Sequence, residues 1–105
     1  MESPNLNYIR ELSDGDEEFE QNILNVLKSE FPAELKVFNE NFKAKNYAEA
    51  SVNVHKIKHK ISILGLKKDL EKASLFELDL KKGKIELYND FLKVLNKIDL
   101  YLGCK

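Results

Sequence analysis

The chain has 105 residues, of which 43% are hydrophobic and 33% charged, so a single domain over residues 1–105 with one core is expected. The formal net charge of −1 gives no general attraction to nucleic acid. No stretch approaches the roughly 20 apolar residues that cross a bilayer, and no signal peptide is recognisable, so we expect a cytoplasmic protein with no membrane contact. The one cysteine, Cys104, fits a reducing compartment.

The spacing of apolar residues is helical along nearly the whole chain. A short first helix is predicted over Leu6 to Leu12, followed by a turn and N-cap at 13–16. The second helix carries an apolar stripe, and Pro32 is expected to break or kink it or to begin a new helix. The stripe consists of Phe19, Ile23, Val26 and Leu27.

Three further helices follow at short spacings. Asn46 is a predicted N-cap with Glu49 as its capping-box partner, and this helix runs to about Leu64. The fourth helix is predicted between Leu66 and Gly83, and the last from Ile85 to Leu102. Short connections favour antiparallel neighbours, so the fold class is all-α: an antiparallel up-down four-helix bundle with an additional short N-terminal helix. The aromatic residues expected in its core are Phe31, Phe38, Phe76 and Phe91.

Charge is distributed unevenly along the chain. Residues 1–42 hold 3 basic and 10 acidic residues, whereas residues 43–68 hold 7 basic residues and 1 acidic residue. A locally basic segment inside a neutral chain suits a phosphate group, but it is also typical of a solvated helix face. The motifs in this segment decide between a phosphate site and a solvated face.

Both histidines lie on the third helix. At about 100° per residue, one face of this helix is apolar, and His55 and His59 lie about 140° and 180° from its centre. Both imidazoles should therefore face solvent. Val52, Ser62 and Ile63 fall on the same outward side, which predicts a docking surface for another protein, although scattered exposed apolar residues are also ordinary. The apolar face comprises Ala50, Val54, Ile57, Ile61 and Leu64.

Lysines flank His55 on the same helix. Lys58 is three residues later, close enough to place its ammonium near a group on the imidazole, and Lys56 adds charge on the other flank. A phosphoryl group on His55 would carry nearly two negative charges, which Lys58 could stabilise. An exposed imidazole is substantially neutral at physiological pH, so a ring nitrogen is free to attack phosphorus.

The segment from His55 to Gly65 resembles the signature of the histidine-phosphotransfer (HPt) family. In that family the phosphate-accepting histidine is followed by an aliphatic residue at +2, a lysine at +3 and Leu-Gly at +9 and +10, which Ile57, Lys58 and Leu64-Gly65 match. The order of helices along the chain is also similar.

The resemblance implies a phosphorelay protein of bacterial-type two-component signalling. His55 would accept the phosphoryl group and Lys58 would stabilise its charge. The implied partners are response-regulator receiver domains, with a hybrid histidine kinase as a further candidate. The partner-docking residues would be Val52, Lys56, His59, Ser62 and Ile63. The chain would act as a monomeric phosphocarrier without turnover of its own. It would hold no cofactor and no metal, because the magnesium ion is expected on the receiver.

His59 departs from the family pattern, which usually has glycine at this position. It could narrow access to His55, bind the phosphoryl group or act as a second acceptor. Lys60 and Ile61 also replace small residues. A non-catalytic relative that docks receivers without phosphotransfer is therefore the alternative function.

Other classes of function fit less well. His55 and His59 are four residues apart and could share a metal ion, but the chain has no further histidine and few carboxylates on that stripe. The basic segment lacks the interleaved aromatics of nucleic-acid surfaces, apart from Tyr47. No nucleotide loop, kinase motif or hydrolase constellation is recognisable.

Overall fold

The computed structural model describes residues 2–104, which form five α-helices and no strand. The prediction of an all-helical chain is confirmed. The predicted domain limits at Met1 and Lys105 lie outside the described residues. The helices are α1 (Asn7–Ser13), α2 (Glu17–Lys43), α3 (Tyr47–Ile63), α4 (Lys67–Lys81) and α5 (Tyr88–Gly103).

Helix α3 lies between two other helices, because it contacts α2 on one side and α4 on the other. Helix α5 also contacts both α2 and α4, and the short α1 packs against α2. The molecule measures 44 × 24 × 19 Å along its principal axes. The face of α3 that points away from this packing is left open to solvent.

The ends of the helices follow local sequence signals. Asp16 caps α2 by accepting a hydrogen bond from the backbone N–H of Phe19 at 3.1 Å, as the turn at 13–16 predicts. Gly65 ends α3 with a positive φ of 77°, a conformation that favours glycine. Helix α1 begins and ends one residue later than predicted.

The predicted capping box at the start of α3 is wrong. Asn46 does occupy the N-cap position, but its side chain makes no capping hydrogen bond. Its backbone N–H instead donates to the carbonyl of Asn41 at 2.9 Å, which closes the end of α2. The tight α2–α3 turn therefore fixes the backbone of Asn46, and its side chain has no part in the cap.

Neither a break nor the start of a new helix, two of the outcomes expected at Pro32, is observed, since α2 runs without interruption for 27 residues. Proline removes one helix hydrogen bond, the one that would reach the carbonyl of Lys28. Pro32 is exposed, so water can satisfy that carbonyl. The buried side chains of Phe31 and Phe38 anchor the helix on both sides of the proline.

Three apolar residues assigned to helical stripes lie mostly outside the core. Phe19 and Val26 are 45% and 52% exposed at the edge of α2, although Leu27 on the same stripe is buried. Ile85 is in the turn before α5, which begins at Tyr88. Helical spacing predicts which residues share a face, but the packing of the neighbouring helices determines how much of that face is buried.

The core is built around Phe38. Its ring lies 5.3 Å from Phe91 and 6.2 Å from Phe76 between centroids, both in edge-to-face arrangements. Phe42 and Tyr88 stack against each other at 3.7 Å beside this cluster. All four aromatic residues predicted to lie in the core are buried, namely Phe31, Phe38, Phe76 and Phe91.

Replacing Phe38 with alanine should therefore destabilise the fold strongly. We expect Phe38→Ala to cost about 3–5 kcal/mol of unfolding free energy, because the site is enclosed by rings that cannot close over the cavity. The neighbouring Val37 is 45% exposed and provides the control, with an expected cost within about 0.5 kcal/mol for Val37→Ala. Urea unfolding at pH 7 measures both, and similar costs would contradict this account of the core.

The segment before α1 contacts the turn between α3 and α4. The backbone N–H of Asn5 donates to the carbonyl of Leu64 at 2.9 Å. A Cβ atom added at Gly65 would lie 2.6 Å from the Asn5 side-chain nitrogen. Gly83 has nearly the same φ, 76°, but an added Cβ there meets nothing within 4 Å.

The two glycines form a matched pair. Gly65→Ala and Gly83→Ala share the cost of a positive φ, about 1 kcal/mol, but only the first must displace Asn5. We expect Gly65→Ala to destabilise the protein by about 1 kcal/mol more than Gly83→Ala in urea unfolding. If both variants lose the same unfolding free energy, Asn5 does not hold the α3–α4 turn.

Candidate functional site

The predicted orientation of α3 is confirmed. Its apolar face, Ala50, Val54, Ile57 and Ile61, has no exposed surface. The His55 side chain is 60% exposed, and His59 is exposed one turn later. Both imidazoles thus stand on the open side of a helix whose opposite side is fixed in the core.

A carboxylate of α4 contacts the His55 ring. Nδ1 of His55 lies 3.3 Å from Oε2 and 3.4 Å from Oε1 of Glu77. An ionised carboxylate can only accept, so this hydrogen bond requires a proton on Nδ1. The Nε2 atom is then the nitrogen with a free lone pair in the neutral ring.

Glu77 also binds the lysine of the predicted motif. Lys58 Nζ donates to Glu77 Oε1 at 2.9 Å, and Lys81 Nζ lies 3.6 Å from Oε2. The Glu77 side chain is only 11% exposed, so these contacts are partly shielded from solvent. One carboxylate therefore links the imidazole to two ammonium groups.

These contacts control the ionisation of Glu77. Burial alone would raise the pKa of Glu77, but the hydrogen bond and charge of Lys58, followed by those of His55, outweigh it. The pKa of Glu77 therefore lies below its ordinary value. The carboxylate stays ionised at neutral pH and can hold a proton on His55 Nδ1.

A shallow groove of about 290 Å³ runs between α3 and α4 beside His55. Its lining consists of Ser51, Val52, His55, Glu77 and Lys81. Val52 is 48% exposed and gives the groove an apolar edge, whereas the exposed Lys81 gives it a cation. The groove therefore offers a nucleophilic ring, a positive charge and an apolar contact in one place.

The remaining predicted site residues divide between two sides of α3. His59 and Ser62 are exposed on the His55 side, and the rings of His55 and His59 are perpendicular with centroids 5.7 Å apart. Lys56 is exposed toward α2, beside Val37. Ile63 is half-buried and packs against the core.

Ile63 thus contributes less exposed surface than the sequence indicates. It lines a separate apolar groove with α2 residues, and that groove includes the exposed Phe19 and Val26. On α3 this groove is lined by Lys60 and Ile63, five and eight residues beyond His55.

Lys60, which replaces a small residue of the family pattern, forms ion pairs between α3 and α2. Its side chain is 9% exposed, and Nζ donates to Glu30 at 3.0 Å and to Glu34 at 3.3 Å. Burial alone would lower the pKa of Lys60, but the hydrogen bonds and charges of the two glutamates outweigh it and hold the pKa above its ordinary value. Lys60 therefore joins α3 to α2 and does not reach the His55 groove.

Sequence reasoning missed Glu77, Lys81 and Ser51. Glu77 and Lys81 are four residues apart on α4, a spacing that indicates a helical ion pair. Nothing in that spacing reveals the contact with His55, because it depends on how α3 and α4 are rotated against each other. Few carboxylates are expected on the histidine stripe of α3 itself, and Glu77 reaches His55 from the neighbouring helix α4.

Comparison with known proteins finds no family model, no curated protein and no solved structure that matches this chain. Within residues 2–104, every helix is too short or too polar to span a bilayer. Any functional conclusion rests on the residues and the geometry around His55.

Removing the charge of Glu77 should test this network. Glu77→Gln should lower the unfolding free energy at pH 7 by about 1–3 kcal/mol, because Lys58 loses a charged acceptor in a shielded site. A carboxyl whose pKa is lowered by folding stabilises the folded protein at pH values above its ordinary pKa of 4.5. That stabilisation is lost as the pH falls through the lowered pKa. The difference from wild type should therefore narrow below pH 4.5.

The exposed Glu71 on the same helix supplies the control, since Glu71→Gln removes the same charge without this network. Urea unfolding between pH 7 and pH 2.5 measures all three proteins. If Glu77→Gln lowers the unfolding free energy by as much as Glu71→Gln does, the assigned role of Glu77 is wrong. A decrease that does not change with pH would also contradict it.

Proposed function

We propose that this protein is a histidine-phosphotransfer protein, which relays a phosphoryl group between aspartates of receiver domains through phosphohistidine at His55. The observation that carries the proposal is the His55 imidazole itself. It is 60% exposed, and its Nδ1 lies against Glu77, so that Nε2 is free for attack. The match of residues 55–65 to the HPt signature gives independent support.

The proposed architecture is an antiparallel up-down four-helix bundle of α2 to α5, with α1 as an additional helix. The contacts support it, because each of these four helices touches two of the others: α3 and α5 both contact α2 and α4. The connections are short, which favours antiparallel neighbours. Such a bundle would hold α3 rigid while a partner docks.

The proposed reaction is an in-line transfer from an aspartyl phosphate of a receiver. The lone pair of His55 Nε2 attacks phosphorus, a P–N bond forms, and the P–O bond to the aspartate breaks, so the aspartate leaves as a carboxylate. The proton on Nδ1 stays in place, and the positive charge that develops on the ring is stabilised by Glu77. Transfer to a second receiver reverses these steps.

Cations next to His55 would stabilise the phosphoryl oxygens. Lys58 was predicted for this role, but its ammonium is bound to Glu77 at 2.9 Å, so it acts on the phosphoryl group at longer range or after rotation. Lys81 is 56% exposed in the groove and is a second candidate. The transition state spreads charge over its equatorial oxygens, so positioning and charge decide the rate. The magnesium ion is expected on the receiver, and the chain alone has no turnover.

The proposed partners are response-regulator receiver domains, with a hybrid histidine kinase as a further candidate, in the cytoplasm. The docking surface would extend along α3 from the apolar edge of the groove at Val52, past His59, to Ser62. Lys56 and the half-buried Ile63 would lie at its margin toward α2. We expect the protein to act as a monomer and to bind neither nucleic acid nor membranes.

His59 favours one alternative, a degenerate module that docks receivers without accepting phosphate. Its ring lies 5.7 Å from that of His55, where the family usually has glycine. A ring at this distance could obstruct the approach of a receiver aspartate. Phosphotransfer assays separate this alternative from the main proposal.

The decisive experiment is transfer from a panel of phosphorylated receiver domains, with the product mapped by mass spectrometry under non-acidic conditions. We expect labelling at His55 in wild type and none in His55→Gln. The His59→Gln protein should still be labelled at His55. Circular dichroism confirms that each variant is folded.

The Glu77→Gln protein extends this test to the mechanism. We expect its transfer rate to fall at least about tenfold, because no charge remains to hold the Nδ1 proton and to balance the ring. Phosphorylation found on His59 in place of His55 would contradict phosphotransfer through His55. So would receivers that bind the protein without phosphorylating it. Binding without labelling would support the degenerate module.

A further inference from the structure

We infer that His55 and His59 together form a chelating site for a divalent transition metal such as Zn²⁺. The two residues are one turn apart on α3, and both side chains are open to solvent. Neutral imidazole is a preferred ligand of zinc, and two imidazoles on one helix face can bind the same ion. Water would fill the remaining coordination positions.

The separation of the rings suits a shared ion. Two imidazoles that bind one tetrahedral zinc ion through nitrogens about 2.0 Å from the metal have centroids about 5 Å apart. The centroids of His55 and His59 are already 5.7 Å apart, with the ring planes at 88°. The rings therefore lie about as far apart as a shared ion requires, and rotation about the side-chain bonds would turn their nitrogens toward it.

Glu77 gives His55 a second feature of metal ligands. Histidines that bind metals generally donate the other ring N–H to a carboxylate, which fixes the ring and makes the coordinating nitrogen more basic. The contact of His55 Nδ1 with Glu77 has this arrangement and leaves Nε2 for the metal. The sequence disfavoured a metal because the chain has no third histidine and few carboxylates on the α3 stripe, whereas Glu77 comes from α4.

The positive charges beside the two rings are partly balanced. The ammonium groups of Lys58 and Lys81 lie 2.9 Å and 3.6 Å from the one carboxylate of Glu77, which balances one of their two charges. Lys60 is bound to two glutamates on the other side of α3. Within residues 2–104, no group of three or more potential ligands could hold a metal ion, so the site is a two-histidine chelate of moderate affinity.

Metal binding would have a consequence for phosphotransfer, and this part of the inference rests on the proposed function. The metal would occupy the lone pair of His55 Nε2, the same electrons that must attack phosphorus. A protein loaded with zinc should therefore not accept a phosphoryl group. The site would couple phosphoryl flow to the availability of the metal.

Titration with ZnCl₂, followed by calorimetry and by NMR of the histidine rings, tests the chelate without any partner protein. A Cys104→Ser background removes the exposed thiol. We expect one equivalent of zinc to bind and to perturb both histidine rings. Either His55→Gln or His59→Gln should weaken binding at least about tenfold, because a tethered second ligand is lost.

Two further variants sharpen this test. The double variant His59→Gln with Ser62→His keeps two histidines but spaces them by seven residues, about 10 Å along the helix, so it should bind as weakly as His59→Gln. Glu77→Gln keeps both ligands and should bind about tenfold or more weakly than wild type. Zinc binding that persists in the respaced variant, or perturbation of a single ring, would overturn the chelate.

The same preparations test the competition. With a receiver that labels wild type, one equivalent of zinc should suppress labelling of wild type but leave the labelling of His59→Gln unchanged. If zinc inhibits both proteins equally, it acts on the receiver and the competition is refuted. If no receiver labels the protein but zinc binds as expected, the proposed function fails while the metal site stands.

Discussion

The contact between Glu77 and the α3 side chains His55 and Lys58 is the interaction on which the proposed activity depends. It joins two neighbouring helices, and because an ionised carboxylate can only accept, it favours the neutral ring that carries its proton on Nδ1. Because the side chain of Glu77 is mostly buried, its charge acts in surroundings where it is weakly screened. The proposed activity therefore requires that the exposed ring keeps its proton on Nδ1 and offers Nε2 to a partner.

Two lysines on α3 hold this helix from opposite sides. Lys58 pairs with α4 through Glu77, and Lys60 pairs with α2 through Glu30 and Glu34. Only one residue, His59, separates these lysines, so the ion pairs restrain rotation of α3 in both directions. The apolar face below them, packed into the core, restrains it further. The helix backbone therefore holds His55 and His59 one turn apart on its open side.

Much of this arrangement could be predicted from local patterns. The helical period of α3 placed His55 and His59 on the open side, and the signals at Asp16 and Gly65 placed helix ends correctly. The missed features depend on tertiary structure. Glu77 reaches His55 only through the rotation of α4 against α3, and Ile63 is half-buried because α2 covers it.

The measurement that most directly tests the central claim is the tautomer of the His55 ring, read from long-range ¹H–¹⁵N NMR spectra at a pH where the ring is neutral. The account predicts a proton on Nδ1 and none on Nε2 in wild type, with this preference lost in Glu77→Gln. A wild-type ring protonated on Nε2 would contradict the account, because the nitrogen that faces a partner would then have no lone pair to offer.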